Sequence, residues 1–321
     1  MIDAAIVGLG RWGRSLVESV QGRSAKIRFV LGVEPDAAAR DFAAQHRLKL
    51  GTDYRDALSD LSVGAVVLAT PHSLHPDQVI AAARAGKAVF CEKPLALTRA
   101  HAAAMLEACA RAGVTLGVGH NRRWWPAMRE LKRLVDSGEL GTLLHLEGHN
   151  SNENSNAVAG GWRTLASESP GGGMTGAGLH ALDAMVGLAG PVKHVAAQLL
   201  SRKPPPAPQD TASALIEFDS GVSGLLATVR ATPFYWRVHA FGTKANAEVL
   251  GETELVLRVS GQPAQRPRLE PADSLHDELE AFADAVAGRA PYPISPAQML
   301  ATVAAFEAVL SASRCSTHPV P

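Results

Sequence analysis

Apolar runs of strand length alternate with helix-patterned stretches through the first 120 residues. Ala4-Ala5-Ile6-Val7, residues 27–33, residues 63–69, Ala88-Val89-Phe90-Cys91 and residues 114–118 are almost continuously hydrophobic, as expected of strands covered on both faces. Trp12, Leu16 and Val20 recur at helical spacing after the first run, and a second helical stretch covers residues 37–45. Pro76 opens a helix that Gly86 ends, and Thr98 caps another that Gly113 closes. This alternation predicts an α/β Rossmann-type doubly wound parallel sheet, whose ligands bind beyond the C-terminal ends of its strands.

Past residue 120 the rhythm changes. Residues 214–218 and 225–229 flank Asp219-Ser220-Gly221 and predict an antiparallel hairpin. Further strands are expected at residues 143–148, 195–200, 237–241 and 255–259, and helices at 275–286 and 296–313, the last closing the structure. The second part is therefore read as α+β, an open, mostly antiparallel sheet with a helix on one face. The expected division is a dinucleotide-binding domain over 1–120 and a substrate-binding and oligomerisation domain over 121–321. Lys203-Pro204-Pro205-Pro206-Ala207-Pro208 reads as a stiff loop between strands.

Composition narrows the class. The 31 basic and 31 acidic residues cancel, which argues against nucleic acid as a partner, since phosphate binding needs a basic footprint. No apolar run reaches membrane-spanning length, and the chain enters its first strand without a charged leader and apolar core, so neither a membrane partner nor a secretory signal is expected. Cys91, Cys109 and Cys315 cannot all pair and lack metal-ligand spacing. They fit a reducing, cytoplasmic setting and predict no metal.

Gly8-Leu9-Gly10-Arg11-Trp12-Gly13 stands between the first strand and the first helix. The first glycine permits the tight turn, the second lets backbone approach a pyrophosphate, and the third lets helix lie close to strand. Arg11 and Trp12 would border that phosphate, held on the N–H groups of the helix start. Glu34 ends the second strand about 20 residues further on, where a carboxylate bonds ribose hydroxyls and repels a ribose phosphate. NAD is favoured, with NADP as the other nicotinamide cofactor; the plain alternative is that Glu34 merely precedes the helix start at Pro35-Asp36.

Lys93 follows the strand 88–91, at the edge where such a sheet binds its ligand. Its ammonium would bond a ribose hydroxyl or the reacting oxygen of a substrate, unless it simply reaches solvent. Pro94 disfavours the helical region for Lys93. His180 lies just after a glycine-rich segment and begins an apolar helical run; an imidazole there would take a hydroxyl proton, or would be a structural histidine.

Thr70-Pro71-His72-Ser73-Leu74-His75, Cys91-Glu92-Lys93-Pro94, His120-Asn121-Arg122-Arg123, Gly161-Trp162-Arg163 and the segment from Gly171-Gly172-Gly173 to Gly178-Leu179-His180-Ala181-Leu182-Asp183 together resemble the Gfo/Idh/MocA family of glucose-fructose oxidoreductase and inositol dehydrogenase relatives. The resemblance runs over nearly the whole chain. It implies that Lys93 and His180 are catalytic, that Glu92 and Pro94 shape the nicotinamide pocket, and that Thr70, Pro71, His72 and His75 belong to the cofactor site, His75 near the nicotinamide. Arg122, Arg123 and Trp124, with Trp162 and Arg163, would line the substrate cleft. Many relatives carry aspartate where this chain has Gly176, which puts the substrate class in question, and Asp183 would orient backbone or His180.

The implied function is hydride transfer between nicotinamide and a secondary alcohol or ketone of a sugar, polyol or cyclic diol. The alternatives are a cis-dihydrodiol dehydrogenase of aromatic degradation and a nucleotide-binding regulator without turnover. An open sheet needs a cover for its outer face, and the resemblance implies face-to-face pairing of such sheets in a homodimer or homotetramer, with Leu225 and Ala227 contributing.

Overall fold

A computed structural model of the chain describes residues 1–152, 161–202, 209–230 and 232–313. The proline-rich stretch 203–208, Cys315 and the segment 153–160 lie outside the described residues. Two compact units emerge: Met1–Asn121 with Asp273–Met299, and Arg122–Ala272 with Leu300–Pro321.

In the first unit, β1 (Ile2–Val7), β2 (Ile27–Val33), β3 (Lys49–Gly51), β4 (Ala65–Leu68), β5 (Ala88–Glu92) and β6 (Leu116–Gly119) form one parallel sheet in the order β3-β2-β1-β4-β5-β6. That is the strand order of a dinucleotide fold, with its reversal between β1 and β4. Every residue of β4 and β5 is buried, which is why both read as unbroken apolar runs. The helices are α1 (Arg11–Val20), α2 (Arg40–Gln45), α3 (Tyr54–Ser59), α4 (His75–Arg84) and α5 (Arg99–Ala112). Thr98 caps α5 by accepting the His101 N–H at 3.2 Å, and Gly113 ends it in the left-handed region at φ 66°. β3 and α3 were not expected from the sequence. β3 has three residues, none fully buried, and α3 is started by a capping box of Asp53 and Asp56 instead of an apolar stripe.

The second unit holds a seven-stranded sheet in the order β13-β12-β11-β7-β10-β9-β8, built from β7 (Leu143–Ser151), β8 (Val192–Leu200), β9 (Thr211–Phe218), β10 (Ser223–Val229), β11 (Tyr235–Gly242), β12 (Ala245–Leu250) and β13 (Glu254–Val259). All neighbours are antiparallel except β7 and β10. The expected hairpin is β9–β10, with Leu226 opposite Ala214 and Leu225 opposite Leu215. Ala214, Ile216 and Leu226 are buried, while Leu215 and Leu225 are 62% and 44% exposed. The two faces thus differ as strand alternation requires. On the outer face Arg237 bridges Glu147 at 2.5 Å and Glu248 at 2.7 Å. Helices α6 (Pro126–Asp136) and α7 (Leu179–Ala189) pack on the sheet, α7 against β7 and α6 against β12 and β13.

Two helices complete the chain, α8 (Ser274–Val286) and α9 (Pro296–Ala312). The boundary expected at residue 120 matches only the first crossing between units. Residues 273–299, expected in the second domain, belong to the first. The cause is the apolar face of α8. Leu279, Phe282 and Ala283 are fully buried, with Phe282 edge-on to Phe90 of β5 at 5.6 Å, and each large side chain so buried contributes about 2 kcal/mol.

Candidate functional site

The first unit builds a nucleotide cradle from its glycine-rich turn. Gly8 adopts φ +92°, and a Cβ there would lie 2.7 Å from the Ala69 carbonyl oxygen; a Cβ on Gly13 would collide with the Gly8 carbonyl. Gly10 caps α1, and a Cβ added to it would meet nothing within 4 Å. The turn is therefore closed against strand and helix but open at the helix N-terminus, the shape a pyrophosphate requires. Arg11 is exposed beside it and Trp12 half-buried, with its Nε1 buried and without a partner among the described residues.

Glu34 already holds backbone. Its Oε2 accepts the Leu9 N–H at 2.9 Å and its Oε1 the Asp36 N–H at 3.2 Å. Each carboxylate oxygen keeps further lone pairs for ribose hydroxyls. Arg14, missed in the sequence, donates to the Leu9 carbonyl at 2.9 Å and the Ala38 carbonyl at 3.2 Å, with its guanidinium 5.1 Å from the Phe42 ring. A basic residue directly after the third glycine was the available clue.

Beyond β4 and β5 lie the other residues that the sequence assigns to the cofactor side. The Thr70 hydroxyl donates to Gln78 Oε1 at 2.6 Å, Pro71 follows, and His72 is buried in the turn before α4. His75 lies inside the unit. It is fully buried, its Nδ1 2.9 Å from the Pro94 carbonyl oxygen and its Nε2 3.2 Å from that of Thr70. It joins the loops after the two strands. Glu92 is buried at the end of β5, where its Oε2 accepts the Lys93 N–H at 3.2 Å; the Lys93–Pro94 peptide is cis. Lys93 itself is half-buried.

Glu278, also missed in the sequence, is fully buried on α8 with neither carboxyl oxygen partnered among the described residues. Burial, and then the charge of Glu92, push its carboxyl well above the usual range.

In the second unit a π-type turn over Met174–Gly178 leads into α7, whose second residue is His180, half-buried. Asn150, fully buried on β7, donates to the Ala177 carbonyl at 2.6 Å and accepts at its own carbonyl from the Thr228 hydroxyl at 2.6 Å. The turn before His180 is thereby pinned to the sheet. Gly176 is exposed, and a Cβ there would enter open space.

Asp183 is held in a buried charge pair. It pairs with Arg123, accepting from Nε and Nη2 at 2.7 Å each, and accepts the Thr302 hydroxyl at 3.1 Å. Arg123 is thus held in an internal ion pair. Trp124 is buried in the unit's core, and the ring that meets an arginine is its neighbour Trp125. Arg122 lies among three rings, its guanidinium carbon 4.9 Å from the centroid of Trp125, 4.6 Å from Trp236 and 5.5 Å from Phe234. Trp162 is half-buried, with the exposed Arg163 stacked over it at 4.1 Å.

No group of three His, Cys, Asp or Glu side chains is disposed to hold a metal among the described residues, and no helix of these is long and apolar enough to cross a membrane.

Residues 2–120 match the family described as "Oxidoreductase family, NAD-binding Rossmann fold", and residues 128–248 match "GFO/IDH/MocA C-terminal domain". The 2,7-anhydro-N-acetylneuraminate hydratase of Escherichia coli K12 is 30% identical over 275 residues, 82% of this chain and 71% of that protein. The scyllo-inositol 2-dehydrogenase (NAD(+)) of Bacillus subtilis is 36% identical over 154 residues, 46% of this chain, and the chain spans 44% of that enzyme's length. A solved structure described as a candidate NADPH-dependent oxidoreductase from Desulfitobacterium hafniense has a TM-score of 0.88 at 25% identity, covering 97% of this chain and 94% of that one.

Proposed function

We propose, for a chain that belongs to the GFO/IDH/MocA family of oxidoreductases with an NAD-binding Rossmann fold, the reversible oxidation of a secondary alcohol on a sugar or polyol. The observation that carries this reading is the pairing of an open glycine cradle with a lysine at the end of β5. The relatives named for an inositol and for an anhydro-neuraminate point to the same class of polyhydroxylated ring. A bound nicotinamide nucleotide supplies the hydride acceptor or donor.

The protein's own residues do the rest. The Lys93 ammonium polarises the reacting oxygen, and His180 takes or returns the hydroxyl proton, as an imidazole that titrates near neutrality can. Glu92 fixes the backbone at Lys93, and Asn150 fixes the turn before His180. Gly8, Gly10 and Gly13 admit the pyrophosphate, and Glu34 selects NAD over NADP.

Turnover of a panel of sugars, polyols and dihydrodiols with each cofactor, followed by nicotinamide absorbance, tests the reading. His180→Ala and Lys93→Ala should each lower turnover about 100-fold or more while leaving NAD affinity and folding nearly intact. Parent-level turnover in either variant removes that residue from the chemistry. Turnover confined to dihydrodiols selects the aromatic-degradation alternative. Nucleotide binding without turnover on any of them selects the regulator, the reading that Gly176 favours because no carboxylate stands there.

The assignment to the cytoplasm rests on the cysteine usage. The assembly is a homodimer or homotetramer formed through the outer face that carries Leu215 and Leu225. A monomer by sedimentation at micromolar concentration overturns it.

A further inference from the structure

Arg122 and Arg123 are adjacent in sequence and opposite in circumstance. Arg123 has its carboxylate in Asp183. Arg122 has none: among the described residues no acidic side chain stands within ion-pair distance, and its Nη1 is buried without a hydrogen-bond partner. What surrounds it is aromatic, with Trp125 edge-on to Trp236 at 5.3 Å and to Phe234 at 6.5 Å. Rings hold a cation by their faces and leave its N–H donors unused.

Burial brings the guanidinium down to about 9, so it is charged at neutral pH. A buried donor without an acceptor costs about 1–3 kcal/mol, more when charged. Of the three rings, Phe234 is the half-exposed one. Trp236 pairs in register with Asn150, the residue that pins the turn before His180. The cage therefore belongs to the same region of the second unit as the histidine.

We propose that Arg122 is a carboxylate-recognition point, and that the substrate is an acidic sugar bearing a carboxylate and not a neutral polyol. The inference rests on the reading of the second unit as substrate-binding. With three rings around the guanidinium, Nη1 is the donor left without an acceptor, and a carboxylate meets such a donor with a charge-assisted hydrogen bond. A hydroxyl would satisfy one donor and leave the charge uncompensated. A carboxylate satisfies both demands at once.

Calorimetric titration of the intact, NAD-saturated chain with glucuronate, galacturonate and N-acetylneuraminate, each against its methyl ester, tests this without any need for turnover. At least one acid should bind about 10-fold or more tightly than its ester, the scale of a charge-assisted pair. Arg122→Gln should erase that preference and Arg122→Lys should restore part of it, with circular dichroism confirming the fold. The acid–ester comparison in the unaltered protein stands even if the variants fail to fold. Equal binding of acid and ester throughout, or tighter binding of glucose 6-phosphate than of any acid, overturns the proposal. Oxidation of neutral sugars with no acid preference sinks it alone, whereas acid binding without turnover on any substrate leaves it standing and sinks the dehydrogenase reading.

Discussion

Replacing Asp183 by asparagine keeps the side chain's shape and removes the charge opposite Arg123. The carboxylate is 3% exposed and the guanidinium 15%, and two bonds of 2.7 Å join them. Removing one partner of a buried pair costs about 3–5 kcal/mol, because the other charge is left uncompensated. The slight exposure of Arg123 argues for the lower end, about 3 kcal/mol. Four of the five tryptophans, all but Trp12, lie in the second unit, so urea unfolding followed by their fluorescence reports mainly on that unit. With a slope of about 2 kcal/mol/M the midpoint should fall by about 1.5 M. If an unpaired charge is the cause, Arg123→Met with Asp183→Leu should unfold at a higher urea concentration than Asp183→Asn alone. A midpoint within 0.3 M of the parent (roughly the precision of such extrapolations), or a double variant weaker than the single one, would refute the reasoning.

Glu278 binds its proton more tightly folded than unfolded, so stability is fully present below its ordinary value of 4.5 and declines as pH rises toward the raised folded value. Glu278→Gln should flatten the fall in melting temperature as pH rises above the ordinary carboxyl value of 4.5; parallel curves for parent and variant would exclude this carboxyl. Glu34→Ala should narrow the preference for NAD over NADP, read as the ratio of dissociation constants, by removing a ribose partner and a repulsion. An unchanged ratio would give the preference to another residue. Gly176→Asp, placed where a Cβ meets nothing within 4 Å, should shift stability by less than about 1 kcal/mol; a larger loss in thermal unfolding would show a constraint on the turn itself.

Local grammar was legible in the sequence wherever one kind of residue dominated. β2 runs over Ile27–Val33 as its apolar stretch requires, and Thr98 and Gly113 bound α5 as caps do. What escaped had weak or shared signals. α6 shows Pro126 at its start but dilutes Leu131 and Leu134 among charges, and β12 opens on Ala-Asn-Ala-Glu. Within the candidate site, residue types were readable and directions were not. Trp124 and Trp125 are indistinguishable by pattern, yet one is core and the other faces Arg122. The Arg123–Asp183 pair spans 60 residues of chain, and Glu278 reaches the neighbourhood of Glu92 from a helix whose destination is decided only by tertiary packing.

That returning helix also sets a timetable. The first unit needs α8 to cover Phe90, and α8 ends at Val286, whereas β6 is finished at Gly119. A ribosome adding about 5–20 residues per second takes roughly 10–30 s to cross that interval. During it the nascent nucleotide-binding sheet has every strand it will ever own and an uncovered aromatic face. An N-terminal fragment cut at residue 121 would be arrested permanently in that condition, so its insolubility would report a missing lid of sequence and not a defect in the strands.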